Sequence, residues 1–179
     1  MFDIDPVTMS LSFILFGAVC APFIYQSIQQ TKKRKILLQK LSEIASQLNG
    51  KLIQTENWRN QYAIGIDPEN KILAYIRSSE QPIAISIDLK QVKSAKINKI
   101  NREVKIKKDK RIIVNYVSIE LNYLLEGSQP TILEFYDAEF FTDLNGESVL
   151  AEKWVELISG LLVQNPSSKP IPTRLAASA

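Results

Sequence analysis

Acid–base chemistry near neutral pH is served most readily by histidine, and this chain of 179 residues has none. The usual nucleophile triads and zinc sites are therefore out of reach, and the sole cysteine, Cys20, can neither close an intrachain disulfide nor build a cysteine metal site. Glycines stand at 17, 50, 65, 127, 146 and 160, too scattered for a phosphate-cradling GxGxxG or a P-loop. What remains is carboxylates. Asp137, Glu139 and Asp143 surround AEFFTDLNGE and could in principle divide acid and base roles. In a loop that leads into a helix, such residues more often close turns. Asp143, Asn145 and Glu147 lack the spacing of a twelve-residue calcium loop and suit instead the N–H groups and dipole of the helix that follows. No catalytic residue, metal or cofactor is expected.

The stronger signal is electrical. Residues 93–111 carry nine Lys or Arg against Glu103 and Asp109, and residues 126–156 carry eight acids against Lys153, in a chain whose net charge is only +3. Lys105, Lys107, Lys108, Lys110 and Arg111 are interleaved with aliphatics in VKIKKDKRIIV, and Lys32, Lys33, Arg34 and Lys35 form a second block. Held near anionic lipid, each well-placed cation would gain about 1 kcal/mol. These residues are the candidate contacts with anionic headgroups or with an unidentified protein partner. A lysine-guarded strand or hairpin tip that discourages edge pairing accounts for the larger block equally well. Nucleic acid is not expected, because no aromatics interleave with the cations.

What positions these charges is an apolar rod. Residues 7–25, VTMSLSFILFGAVCAPFIY, contain no charge. As a helix they would cover about 28 Å, close to the ~30 Å of a bilayer's hydrocarbon, and a helix meets its own backbone hydrogen-bonding needs in lipid. Asp3 and Asp5 precede the run and the cations from Lys32 follow it. That bias predicts a single-pass span of the inner membrane, with residues 1–6 outside and the remainder cytoplasmic. A cleaved secretory signal would open on basic residues rather than acidic ones. Bulky Val19 before Cys20 suits a lipoprotein cleavage site poorly. A core helix of a soluble protein would rarely run straight into four cations.

Residues 26–49 continue as an amphipathic juxtamembrane helix with Leu37, Leu41, Ile44 and Leu48 on one stripe, closed at Asn49-Gly50 by a left-handed glycine. The stripe spans barely two heptads, and packing on its own domain is favoured over pairing with another chain. Beyond residue 51 the period becomes two. Strands are expected over 61–67, 71–77, 83–89, 92–100, 112–124 and 131–136, with Asp67-Pro68-Glu69-Asn70, 78–82 and 127–130 as turns: an antiparallel meander half buried on one face. Residues 147–163 form a final helix whose stripe of Leu150, Trp154, Leu157, Ile158 and Leu161 must dock on the sheet, with Glu147 toward the wetter side. Residues 165–179, with three prolines and no apolar period, read as a disordered tail.

Strands followed by one terminal helix carrying a Trp resemble the layout of pleckstrin-homology-like and GRAM-like domains. The hairpin YAIGIDPENKILAYI, the segment IAISIDLKQVKSAKI and the helix LAEKWVELISGLL carry the resemblance, which covers roughly residues 60–163. It implies a small α+β body, a bent antiparallel barrel over 51–164 capped by its carboxyl-terminal helix. Lipid-binding members place basic residues between the first two strands. The matching turn here is the acidic Asp67–Asn70, so that phosphoinositide site does not carry over. The expected role is a membrane-anchored, non-enzymatic binding or scaffolding module. An inhibitor or immunity-type protein docking through the acidic 126–156 face, or an enzyme-complex subunit with unrecognised carboxylates, is the alternative.

Overall fold

The computed structural model describes residues 6–79, 81–106 and 109–163, with the side chains of 104–112, of Val163 and of several residues between 6 and 24 excepted. Their fold is α+β. A single helix, α1, runs Pro6–Ser46, through the uncharged run and the apolar stripe that follows it without interruption. Seven strands follow: β1 Gln54–Trp58, β2 Tyr62–Asp67, β3 Ile72–Arg77, β4 Ile83–Asp88, β5 Val92–Ile106, β6 Asp109–Tyr123 and β7 Thr131–Asp137. A single 3-10 turn, Leu89–Gln91, joins β4 to β5, and helix α2, Glu147–Val163, ends the described chain. The expected disordered tail at 165–179 and all but Pro6 of the expected outer segment 1–6 lie outside the described residues.

Every strand pairing is antiparallel, in two sheets ordered β1-β2-β3-β4 and β5-β6-β7. The expected barrel is not closed. Cross-ties link the sheets instead: the Trp58 indole N–H donates to the Phe135 carbonyl at 2.9 Å, and the Tyr75 hydroxyl to that of Glu134 at 2.6 Å. Between the sheets lies the main core, with Tyr62, Ile64, Leu73 and Tyr75 from one side and Val117, Ile119, Leu121, Leu133 and Phe135 from the other. α2 closes it from above with Trp154 and Ile158, both fully buried, as their spacing predicts. Ala151 and Leu162 join them inside, whereas Leu150, Leu157 and Leu161 are only partly covered. The helix is fixed laterally by Glu56 of β1, which accepts from Trp154 Nε1 at 2.7 Å and from Lys153 Nζ at 2.5 Å, and by a Glu152–Lys99 pair to β5.

Five expectations need correction. Half-burial fails for β2 and β3, which are buried on both faces. Three of their outward residues are small, Ala63, Gly65 and Ala74, and that lets α1 lie down on the sheet with Leu37, Leu41 and Ala45 inward against them and Ile76. A Cβ at Gly65 would come within 2.8 Å of Leu52 and 3.1 Å of Leu41, so the helix approaches as closely as backbone permits. Leu48 is exposed and Ala45 takes its place in the seam. The stop after α1 is made by Asn49 at φ +59°, not by a left-handed Gly50. Gly50 is needed for room, since a Cβ there would stand 3.0 Å from the Ala45 carbonyl oxygen. Finally, β1 is an additional first strand, its sequence QTENW being too polar to show a period, and β5 is fifteen residues long rather than ending at Ile100.

Among the described residues no helix is long and apolar enough to cross a membrane. Most side chains of residues 7–25 fall outside that set, although their backbone is helical.

Candidate functional site

The carboxylates that could have done chemistry hold turns. Asp137 Oδ1 accepts the Glu139 amide at 2.8 Å, and Asp143 Oδ1 accepts the Thr142 hydroxyl at 2.5 Å. Among the described residues no group of three His, Cys, Asp or Glu could hold a metal ion.

Because β1 is the first strand, the loop between the first two strands is Arg59-Asn60-Gln61 rather than the 67–70 turn. Its one cation, Arg59, faces inward. Nε donates to Glu147 Oε1 at 2.5 Å, a terminal nitrogen donates to the Asp143 carbonyl, and the guanidinium lies 4.2 Å from the Phe141 ring centroid and 5.5 Å from that of Tyr136. Glu147 is thereby buried, not on the wet face of α2, and its other oxygen accepts the Asn145 amide at 2.5 Å, tying the entry of the helix to the loop. The alternation of α2 could not reveal this, because the partner is 88 residues upstream.

A second buried cluster stands at the same end of the body. Glu134 of β7 accepts Tyr62 Oη at 2.7 Å and pairs with Arg77 at 2.6 Å, while its backbone carbonyl accepts Tyr75 Oη at 2.6 Å. Burial above all, then the hydrogen bond to Glu134 and its negative charge, holds the Tyr62 hydroxyl far above its ordinary range. Burial and the same carboxylate push Tyr75 and Tyr116 upward. Glu134, Tyr62, Tyr75 and Arg77 join the two sheets, and Arg77 also lines the open groove beside α1.

An open groove of about 650 Å³ lies between α1 and the β3–β4 connection, with Lys33, Leu37, Lys40, Ile76, Pro82 and Ile83 along it. A smaller one continues it past Gln29 and Lys33 to Asn60. No family model, no curated protein and no solved structure matches this chain. Its site must be read from its own residues.

The two basic blocks are placed differently. Lys32, Lys33, Arg34 and Lys35 are all exposed, within a stretch of α1 that is exposed from Tyr25 to Ile36. Lys105, Lys110 and Arg111 lie in the β5–β6 hairpin, Lys105 directly opposite Lys110 and Arg111 opposite Val104. Lys107 and Lys108 lie outside the described residues. Nearer the body, Arg102 is exposed and Lys99 pairs with Glu152 at 2.5 Å. The acidic run does not form one face, since Glu134 and Glu147 are inside and Glu152 is paired.

Proposed function

We propose that the chain is a single-pass membrane protein, spanning with residues 7–25, whose body is a non-enzymatic binding module of pleckstrin-homology-like shape held at the cytoplasmic leaflet. One observation carries the reading: α1 is a single helix that leads from an uncharged run into a buried seam on the sheet. Leu15, Phe16 and Val19, within the run, are exposed at 67%, 71% and 61%, as lipid-facing residues are in the absence of lipid. Four plus three antiparallel strands and a carboxyl-terminal helix agree with the proposed shape of the body. The cations at 32–35 begin about two turns past the apolar run, where they would meet a negatively charged leaflet. An inhibitor acting through the acidic 126–156 face is less well supported, because that run is divided between interior and surface.

The test is fractionation of cells expressing the full chain. The protein is expected to pellet with membranes after an alkaline carbonate wash, and its body to resist external protease on intact cells and yield to it once they are broken. Recovery in the wash, or digestion from outside, overturns the reading.

A further inference from the structure

We propose that the outer half of the β5–β6 hairpin is a second membrane contact, one that takes anionic phospholipid headgroups. The proposal rests on the anchored reading above and adds which surface of the body meets the leaflet.

The direction of the hairpin follows from three ties. β7 pairs with β6 only as far as Tyr116↔Asp137, so β6 residues 109–114 and their partners in β5 pass beyond the end of β7. Just past that end of β7, Phe141 lies 6.1 Å from Tyr62 at the start of β2 and 4.2 Å from the Arg59 guanidinium. β5 passes Glu152 at Lys99 and so runs toward the first turn of α2, whose Glu147 holds Arg59. The hairpin therefore leaves the body at the end bearing the Arg59–Gln61 loop.

α1 leaves at that same end. Its seam begins, at the far end, beside the 67–70 turn, where Asn70 reaches the Asn49 carbonyl. It passes Ala63 and Ile76 and arrives beside Asn60 and Gln61 at Lys33. From Lys33 back to Tyr25 is a further rise of about 12 Å. The free ribbon, six residues per strand, extends about 20 Å. The ribbon is thus long enough to reach the level at which the apolar run ends.

Two features of the ribbon call for an outside partner. A two-stranded ribbon with no third strand is marginal in water, and this one is unsupported by β7 from residue 114 outward. Over residues 101–114 its sequence also carries six cations against Glu103 and Asp109, with Lys105 in register with Lys110, a surplus that a negative surface attracts. Arg102 is exposed and Arg111 adds to the same block, while Ile113 and Ile100 contribute exposed apolar area at the root. Cations interleaved with aliphatics match the boundary between headgroups and acyl chains. The groove along α1, by contrast, has nothing on it that specifies an occupant.

The test is hydrogen–deuterium exchange on the full chain reconstituted in phosphatidylcholine, and in phosphatidylcholine with about one-third phosphatidylglycerol. Amides of 101–106 and 109–114 are expected to exchange about tenfold more slowly in the anionic membrane. The slowing should vanish in the triple variant Arg102→Glu, Lys105→Glu, Lys110→Glu, while the amides of β2, β3 and β6 residues 117–121 keep their protection and so report an intact body. Equal exchange in both membranes, or slowing that survives the charge reversal, overturns the proposal while leaving the anchor standing. An alkaline wash of the same preparation separates the two readings: if the chain leaves the vesicles, both fall.

Discussion

Arg77 and Glu134 lie 57 residues apart, on different sheets, and meet with Nη1 2.6 Å from Oε2 in a site where both side chains are largely buried. In an unclosed barrel this pair, with Tyr62 on the other carboxylate oxygen, does part of the work that strand pairing would do in a closed one.

Breaking one side of the pair leaves a charge without its partner in a poorly solvated place. Arg77→Leu or Glu134→Leu alone is expected to cost about 3–5 kcal/mol in denaturant unfolding of the detergent-solubilised chain, whereas the double variant recovers most of that loss. Additive single effects would show that the pair is not coupled.

The seam of α1 depends on the absence of a side chain at position 65. Gly65→Ala is expected to cost about 1–3 kcal/mol by pushing Leu41 and Leu52 away. Leu41→Ala, which empties a fully buried site on the opposing helix, is expected to cost about 2–5 kcal/mol. Together the two should be less than additive, because the methyl at 65 occupies part of the space that Leu41 vacates. The same denaturant measurement checks all three.

The strand meander, the hairpin at 67–70 and the bounds of α2 were legible because period, turn chemistry and apolar stripe agree there. Trp154 and Ile158 were identifiable from spacing alone. The covered outer face of β2–β3 was harder, although Ala63, Gly65 and Ala74 do form a run of small residues on alternate positions and could have marked a close approach. Glu134, Glu147, Arg59 and Arg77 were not legible as partners. A charged residue in a strand or a first helical turn looks solvent-bound until topology brings its counter-ion across 57 or 88 residues. For the same reason the basic block could be found by counting, but not aimed.

Tyr62, Tyr75 and Tyr116 have hydroxyls raised above the ordinary value of 10.0. A raised folded pKa means that between pH 10 and that value the folded chain holds protons which the unfolded chain has lost. Stability is therefore full below pH 10 and falls as pH rises beyond it. Ultraviolet absorbance titration should find these three tyrosines silent until the fold opens. Tyr62→Phe should shift the alkaline unfolding midpoint upward even while it lowers stability at pH 7 by about 1 kcal/mol.

Asp67 works at the other limb. Burial alone would raise its pKa, but the Asn70 side chain and the amides of Lys51, Asn70 and Glu69 outweigh that and hold it below 3.8. Its stabilisation is present above pH 3.8 and is lost as pH falls through the folded value. Asp67→Asn turns an amide N–H toward the Lys51 N–H, which the carboxylate meets at 2.7 Å, and is expected to cost about 2 kcal/mol near neutrality while flattening the acid limb of the stability curve.

Between residues 26 and 48, α1 has neither Pro nor Gly, and Leu37, Leu41 and Ala45 seat its last turns against β2 and β3. On the anchored reading, with its apolar end held in lipid, the rod is a lever without a hinge. A bilayer a few ångströms thinner or thicker changes the tilt of a spanning helix, and here each degree of tilt swings the whole body by the same degree. On the anchored reading, lipid thickness sets how far the basic ribbon stands from the leaflet, making the protein mechanically responsive to the membrane that holds it.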